Sequence, residues 1–418
     1  MQQLCLHRPG WARRAGVSAV ACLLAAILSL SRASAQEDSD EVVTAKSPVL
    51  VREKTVDTIP SQKVIGQPEL VASFNEAMPT GVTVSASGRI FVNFPRWGDK
   101  VDYTVAELVD GKCVPYPNAE INKLDLKKLR DHLVSVQSVV VDPRGRFWML
   151  DTGSLAFQPT IIGAAKMVCV DLKTNRVVEK IEFPRDVVLP TTYLNDVRFD
   201  LRRGKGGMAF ITDSSGSGPN GIIVVDLARK KSWRRLNDHA STRPMPGFVP
   251  IIEGQPLVFV NDKGQRQSLK VGADGIAIGA DGKNLYYCPL SSRKLFSVSV
   301  DALCDQKLSD VEVGETVREV IEKGASDGLE SDSLGRIYAT DYEHNAIQRL
   351  SPGGGQETIV CDPRLLWPDT LSLAADGYLY FTTNQIHRQA TFQGGVDRRQ
   401  KPYALFRVKV DAQPVLLK

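Results

Sequence analysis

The sequence predicts an all-β protein, a six-bladed β-propeller, on three observations. A hairpin pattern recurs six times, the units it heads differ in length, and the 418-residue chain exceeds the ~250–300 residues at which a single hydrophobic core stops growing. A ring of blades, each packed only on its neighbours, accommodates all three. A β-sandwich or a β-helix does not predict such uneven units headed by one hairpin.

Residues 1–35 read as a signal peptide. Arg8, Arg13 and Arg14 form a basic start, Val17 to Leu30 is an apolar run, and Ala33-Ser34-Ala35 offers small residues for cleavage after Ala35. The apolar run is shorter than the ~20 residues of a spanning helix, and the acidic stretch from Glu37 to Glu41 follows it. A secreted protein, periplasmic or extracellular, with no stable membrane anchor is therefore expected. Arg13-Arg14 fits a twin-arginine signal poorly. Residues 36–66 show no clear period and read as a tether or a ring-closing strand, with the propeller over 67–418.

The signal carries four Arg and no acid, so the remainder has 48 basic and 48 acidic side chains. A neutral chain lacks the basic stripe with which nucleic-acid binders displace counterions, and that class is excluded. Cys113, Cys169, Cys288, Cys304 and Cys361 are too widely spaced for a structural zinc site. One or two disulfides, or buried free thiols, both remain compatible with that spacing.

The six hairpins begin at Thr80, Gln137, Asn195, Asp274, Asp327 and Asp369. In each, an alternating strand meets a Gly-containing turn such as Ser87-Gly88, Asp281-Gly282 or Asp376-Gly377, and a second strand follows. Further strands, for example Lys166 to Asp171 and Gly221 to Asp226, complete four-stranded blades. Between Asn237 and Lys270 the chain is rich in Pro, Gly and charge and reads as an excursion over one face.

In a propeller the first strand of each blade lines the channel and the second runs back beside it, so the start of one and the end of the other share a mouth. The six head residues should converge there, with Asn93, Asp151, Asp213, Asp341 and Asn384 behind them. Asp or Asn at a strand start is also ordinary turn chemistry. Clustered carboxylates, by contrast, repel unless a cation or protons intervene, and oxygen-only ligands favour Ca²⁺ or another hard divalent cation. No organic cofactor is implied.

Several stretches resemble the Yellow and major royal jelly protein family. They are Thr383 to Arg388, Gly394 to Gln400, Pro402 to Val408, Asp274 to Ala277, Leu285 to Arg293, and the segment around Ser232-Trp233-Arg234. The resemblance implies a six-bladed propeller, export and, in several members, a small ligand such as a biogenic amine in the channel. Some relatives are associated with dopachrome conversion, while for others no catalysis is established. A more distant similarity to gluconolactonase and senescence marker propellers implies a divalent metal on Asn195, Asp274 and Asp327, with Asp327 as general base. Thr80-Gly81 stands where that group has a Glu, which weakens the metal site.

Two functions are thus expected to compete. The first is small-ligand binding by Thr80, Asn93, Phe94, Gln137, Asn195, Asp274, Asp327 and Asp369, with Phe94 or Tyr342 offering a flat face. The second is a metal-dependent lactonase-like hydrolase or dopachrome-type isomerase at the same site, so whether the protein is an enzyme stays open. A protein-binding platform has no specific support, and no protein partner is indicated. The Gly-x-Ser-x-Gly look-alike near Ser215 lacks the strand-to-helix elbow of a nucleophile, and His344 and His387 read as capping or packing residues.

Overall fold

Alternating apolar residues over short segments, closed by tight turns, form strands that bury one or both faces. The computed structural model describes residues 64–260 and 263–418. The expected signal peptide over 1–35, its expected cleavage site after Ala35 and residues 36–63 of the segment read as a tether or ring-closing strand lie outside the described residues.

The chain enters through β1 (Glu69–Phe74) and then builds blade 1 from β2 (Val82–Val84), β3 (Ile90–Asn93), β4 (Val105–Val109) and β5 (Lys112–Pro115). A short α1 (Ala119–Asn122) leads to blade 2, which comprises β6 (Val136–Val141), β7 (Arg146–Asp151), β8 (Lys166–Asp171) and β9 (Arg176–Glu182). Blade 3 comprises β10 (Leu194–Asp200), β11 (Met208–Asp213), β12 (Gly221–Asp226) and β13 (Lys231–Arg235). The excursion that follows folds into two hairpins, β14 (Ile251–Ile252) with β15 (Gln255–Pro256) and β16 (Val258–Val260) with β17 (Arg266–Ser268).

Blade 4 has β18 (Ala273–Ile278), β19 (Asn284–Pro289), β20 (Lys294–Ser299) and β21 (Arg318–Glu322), with α2 (Val300–Cys304) and α3 (Asp310–Gly314) between its last two strands. Blade 5 has β22 (Leu329–Ser331), β23 (Ile337–Asp341), β24 (Ala346–Leu350) and β25 (Gln356–Cys361). Blade 6 has β26 (Pro368–Leu373), β27 (Tyr378–Thr383) and β28 (Tyr403–Lys409), and takes β1 as its fourth strand. The ring is thus closed by Glu69–Phe74, antiparallel to β28, which ties the start of the described chain to its end.

Apolar faces meet between blades, so each interface has its own core. Trp148 and Met167 of blade 2 pack on Val197 and Phe199 of blade 3, for instance. Among the described residues the five cysteines are free thiols, and Cys169 fills part of that core as a small hydrophobe.

The hairpin tips away from the mouth carry a repeated clamp. Asp142 accepts from the backbone of Arg144 and Arg146, from Arg146 Nε at 2.7 Å and from Trp148 Nε1 at 2.9 Å. Asp332 does the same for Leu334, Arg336 and the Tyr338 hydroxyl. At this end the acids are turn residues.

At the mouth the inner strands β2, β6, β10, β18, β22 and β26 touch in sequence around the axis, and β26 returns to β2. Their approach is close: a β-carbon on Gly275 would lie 2.2 Å from the Asp327 carbonyl oxygen, and one on Gly328 would lie 2.3 Å from that of Asp369. Only glycine fits at 275 and 328, which accounts for the pairs Asp274-Gly275 and Asp327-Gly328. Gly328→Ala is therefore expected to lower stability by about 1–3 kcal/mol. Gly353→Ala, where a β-carbon would meet nothing within 4 Å, should change it by less than about 0.5 kcal/mol. Denaturant unfolding of both variants checks the pair, and equal midpoints would contradict it.

Candidate functional site at the channel mouth

The inner strands begin side by side, and their starts bring Asn195, Asp274, Asp327 and Asp369 together. In β6, β10, β18 and β26 the pairing register shifts at this point, between Val136 and Ser138, Leu194 and Val197, Ala273 and Ile276, and Pro368 and Leu371. Such irregularities release side chains from strict alternation and re-aim them.

Asn195 Nδ2 donates to Asp274 Oδ1 at 2.7 Å, and the Asp327 carboxyl stands next to that of Asp274. Trp367 Nε1 donates to Asp327 Oδ2 at 2.7 Å. Asp369 accepts from Asn384 Nδ2 at 2.6 Å and from the Thr370 hydroxyl at 3.1 Å. Asp274, Asp327 and Asp369 are 4%, 8% and 3% exposed, so the mouth barely wets them.

Burial, and then mutual repulsion, govern their ionisation. Desolvation pushes Asp327 up to about 6 from an ordinary 3.8, with Asp196 adding repulsion. Desolvation and the adjacent Asp327 hold both Asp274 and Asp369 well above the usual carboxylate range. The flanking guanidinium, Arg198, is committed elsewhere: it donates to the carbonyls of Val197 and Leu329 and stands 3.7 Å from Glu330. None of the three mouth aspartates makes an ion pair among the described residues. A carboxyl poised near neutrality can accept or deliver a proton, and the group as a whole attracts cations.

The other expected residues have different roles. Thr80 Oγ1 accepts from Asn93 Nδ2 at 2.8 Å, and the same nitrogen donates to the Val136 and Gln137 carbonyls at 3.0 Å. Asn93 is thus a staple between blades 1 and 2. Phe94 does not face the channel: its ring packs 5.5 Å from Phe74 and 5.9 Å from Tyr103 in the core between blades 6 and 1. Its apolar ring gains more there than at a ring of carboxylates. Gln137 Oε1 accepts from the Tyr193 hydroxyl at 3.1 Å.

Behind the ring, Asp151 accepts from the backbone of Val134 and Ser135 and from Lys166 Nζ at 2.7 Å. Asp213 accepts from Tyr193 N and pairs with Arg234 at 2.9 Å. These acids pin the loops that lead into the inner strands. Ser215 Oγ accepts from Gly218 N at 2.9 Å, as a turn residue does. His344 lies on Asp341 at 2.9 Å.

Aromatic residues border the carboxylates on two sides. Trp367, in the left-handed region at φ 57°, is stacked between Tyr342 at 4.3 Å and His387 at 6.1 Å. A bulky side chain in that region is costly, and its bond to Asp327 is what the conformation secures. The excursion covers this stack: Phe248, Ile252 and Leu257 pack with Tyr342 and Trp367, and Glu253 bonds His387 Nε2 at 3.1 Å and Arg388 Nε at 3.1 Å. On the opposite side Tyr193 takes a 2.6 Å bond from Trp97 Nε1.

Of the residues the resemblance implied for a divalent metal, Asn195 turns its amide nitrogen toward Asp274, and one oxygen of Asp327 is taken by Trp367. Among the described residues no group of three or more His, Cys, Asp or Glu is arranged to hold a metal. As placed, these side chains form a hydrogen-bonded chain and do not fit a ligand cage.

The raised carboxyls give stability a pH dependence. In the folded protein Asp327 keeps, up to about pH 6, a proton that the unfolded chain loses near 3.8. Stability therefore falls as pH rises through that window and stays reduced above it. Asn in its place can still accept from Trp367 and donate to Asp274. Asp327→Asn should raise the melting temperature by about 2–4 °C near neutral pH, and the gain should vanish near pH 4. Melting curves across this range test it, and a gap independent of pH would contradict the assignment.

Comparison with known proteins adds kinship to this geometry. A family model described as major royal jelly protein matches residues 134–415. Protein yellow of Drosophila madeirensis is 27% identical over 242 residues, covering 55% of this chain and 40% of that protein. Yellow-related salivary protein SP04 of Phlebotomus argentipes is 28% identical over 249 residues, covering 56% of this chain and 58% of that protein. The chain thus matches these curated relatives over about half of their length. A luciferin-regenerating enzyme of known structure aligns with a TM-score of 0.50 at 12% identity, over 84% of this chain and 99% of that one, a likeness of fold alone. With six closed blades and a family match over well more than half of its length, the chain belongs to the major royal jelly protein family.

Proposed function

We propose that this protein is an exported propeller that captures a small organic ammonium ion at its channel mouth. The observation that carries the reading is the set of three buried aspartates, Asp274, Asp327 and Asp369, with no cation paired to any of them among the described residues. An ammonium group supplies the missing positive charge and donors for charge-assisted hydrogen bonds. It relieves the repulsion that raises these carboxyls, so binding releases protons and strengthens as pH rises through about 6. Tyr193, whose hydroxyl reaches Gln137, stands beside the carboxylates for the apolar part of such a ligand, while Trp367 holds Asp327 in place from within its own stack. Export is supported by the signal-like residues 1–35 and by the salivary relative.

Isothermal titration with tyramine and tryptamine near pH 7.5 tests the reading. Binding should weaken tenfold or more in Asp327→Asn and should fade below pH 6, since a hydrogen bond between charged groups contributes about 1.5–3 kcal/mol. Ca²⁺ titrated in parallel addresses the lactonase-like alternative. Heat from Ca²⁺ and none from either amine would overturn the proposal in favour of a metal site.

A further inference from the structure

Two loops on the mouth side of blades 1 and 2 hold apolar side chains in water. The loop between α1 and β6 contains Leu124 and Leu126, 39% and 49% exposed. The loop between β7 and β8 contains Phe157 and Ile162, 59% and 61% exposed. The loops adjoin: a recess of about 500 Å³ is lined by Leu126 to Asp131 from the first and by Gly163 from the second.

The second loop holds its apolar tips outward against a backbone cost. Ala156 and Phe157 are consecutive left-handed residues at φ 48° and 58°, which side chains with a β-carbon rarely adopt. The loop is nonetheless pinned, by Ala156 N on the Arg96 carbonyl at 2.9 Å, Thr160 N on that of Pro190 at 3.0 Å and Ile161 N on that of Gly153 at 2.9 Å. One side of the Phe157 ring rests on Trp97 and Tyr193, at 4.9 Å and 5.3 Å.

Charge accompanies the apolar tips. From Lys123 to Asp131 the first loop has four basic and two acidic residues, in a chain that is neutral beyond its signal. Arg130 and Asp131 are paired with Glu182 and Lys180. Among the described residues Lys123, Lys127 and Lys128 make no ion pair, and all three are exposed.

We infer that this rim docks on an anionic lipid surface. Leu124, Leu126, Phe157 and Ile162 enter the headgroup boundary, while Lys123, Lys127 and Lys128 meet the lipid phosphates and carboxylates. Separate aliphatic tips on two loops, with a recess between them, suit a deformable acyl layer better than the packed surface of a protein partner. Phe157 packs on Tyr193, whose hydroxyl reaches Gln137 at the mouth, so docking turns the channel toward the lipid. The inference does not depend on the ligand reading, because none of its residues is one of the mouth carboxylates.

Co-sedimentation with phosphatidylcholine vesicles, with and without phosphatidylserine, tests it on protein recovered from the medium of a secreting host. The wild type should partition to the phosphatidylserine vesicles, and less so as salt rises. Lys127→Gln with Lys128→Gln should lower partition tenfold or more, on the order of fivefold per lysine. Leu126→Ser with Ile162→Ser should lower it on both vesicle types, and Asp327→Asn should leave it unchanged. The four side chains replaced in the two double variants are exposed, so the melting temperatures of both double variants should match the wild type, and the salt dependence of the wild type gives a readout that needs no variant. Equal partition of the wild type and both double variants, or binding to polyglutamate without binding to vesicles, would overturn the inference, the latter in favour of an acidic protein partner.

Discussion

Six inner strands meet around one axis so tightly that the carbonyl oxygens of Asp327 and Asp369 occupy the space a β-carbon would need at residues 275 and 328. The rest of the mouth follows from that contact. It requires Gly275 and Gly328, and it places aspartates from successive blades side by side. Thr212 Oγ1 donates to the Asp274 carbonyl at 2.6 Å and Gly328 N donates to that of Asp369 at 3.0 Å, so one blade is tied to the next where like charges crowd most. The backbone bonds and the interblade cores offset the repulsion; protons and the donors of Asn195, Asn384 and Trp367 lessen it.

Acids in this repeat serve two ends. At the tips away from the mouth, Asp142 and Asp332 are saturated by backbone N–H groups, an arginine and an aromatic donor. At the mouth, Asp274, Asp327 and Asp369 have fewer donors and no ion pair among the described residues, so burial and mutual repulsion disfavour the charged form. Stability and readiness to bind a cation therefore oppose each other in the same side chains, as is common at functional sites. The left-handed backbone of Trp367 and Phe157 places two more costs at this end of the molecule.

Much of this was legible in the residue order. The hairpin repeat is local chemistry, a turn glycine between two alternating stretches, and it indicates six blades without knowledge of any contact. Convergence of Asn195, Asp274, Asp327 and Asp369 follows from ring closure alone. What a side chain does once there depends on the neighbouring blade. Asn93 is drawn to the carbonyls of Val136 and Gln137, and Phe94 turns into a core built by Phe74 from the other end of the ring. Trp367 and Tyr193 lie just outside the repeat, and their donors find Asp327 and Gln137 only after the loops fold. Asp196 carries a signal in retrospect, since an irregular strand start re-aims two consecutive residues. The closing strand Glu69–Phe74 is short and half exposed, which weakens its alternation.

The account rests on carboxylates that ring closure forces together and burial keeps from ionising normally. Carboxyl-carbon NMR titration of aspartate-labelled protein, with the three signals assigned by single Asp→Asn replacements, measures this directly. The account predicts that the signals of Asp274, Asp327 and Asp369 titrate above the ordinary 3.8, with Asp327 near 6, and that each replacement shifts the other two. Three independent titrations at the ordinary carboxylate value would contradict it.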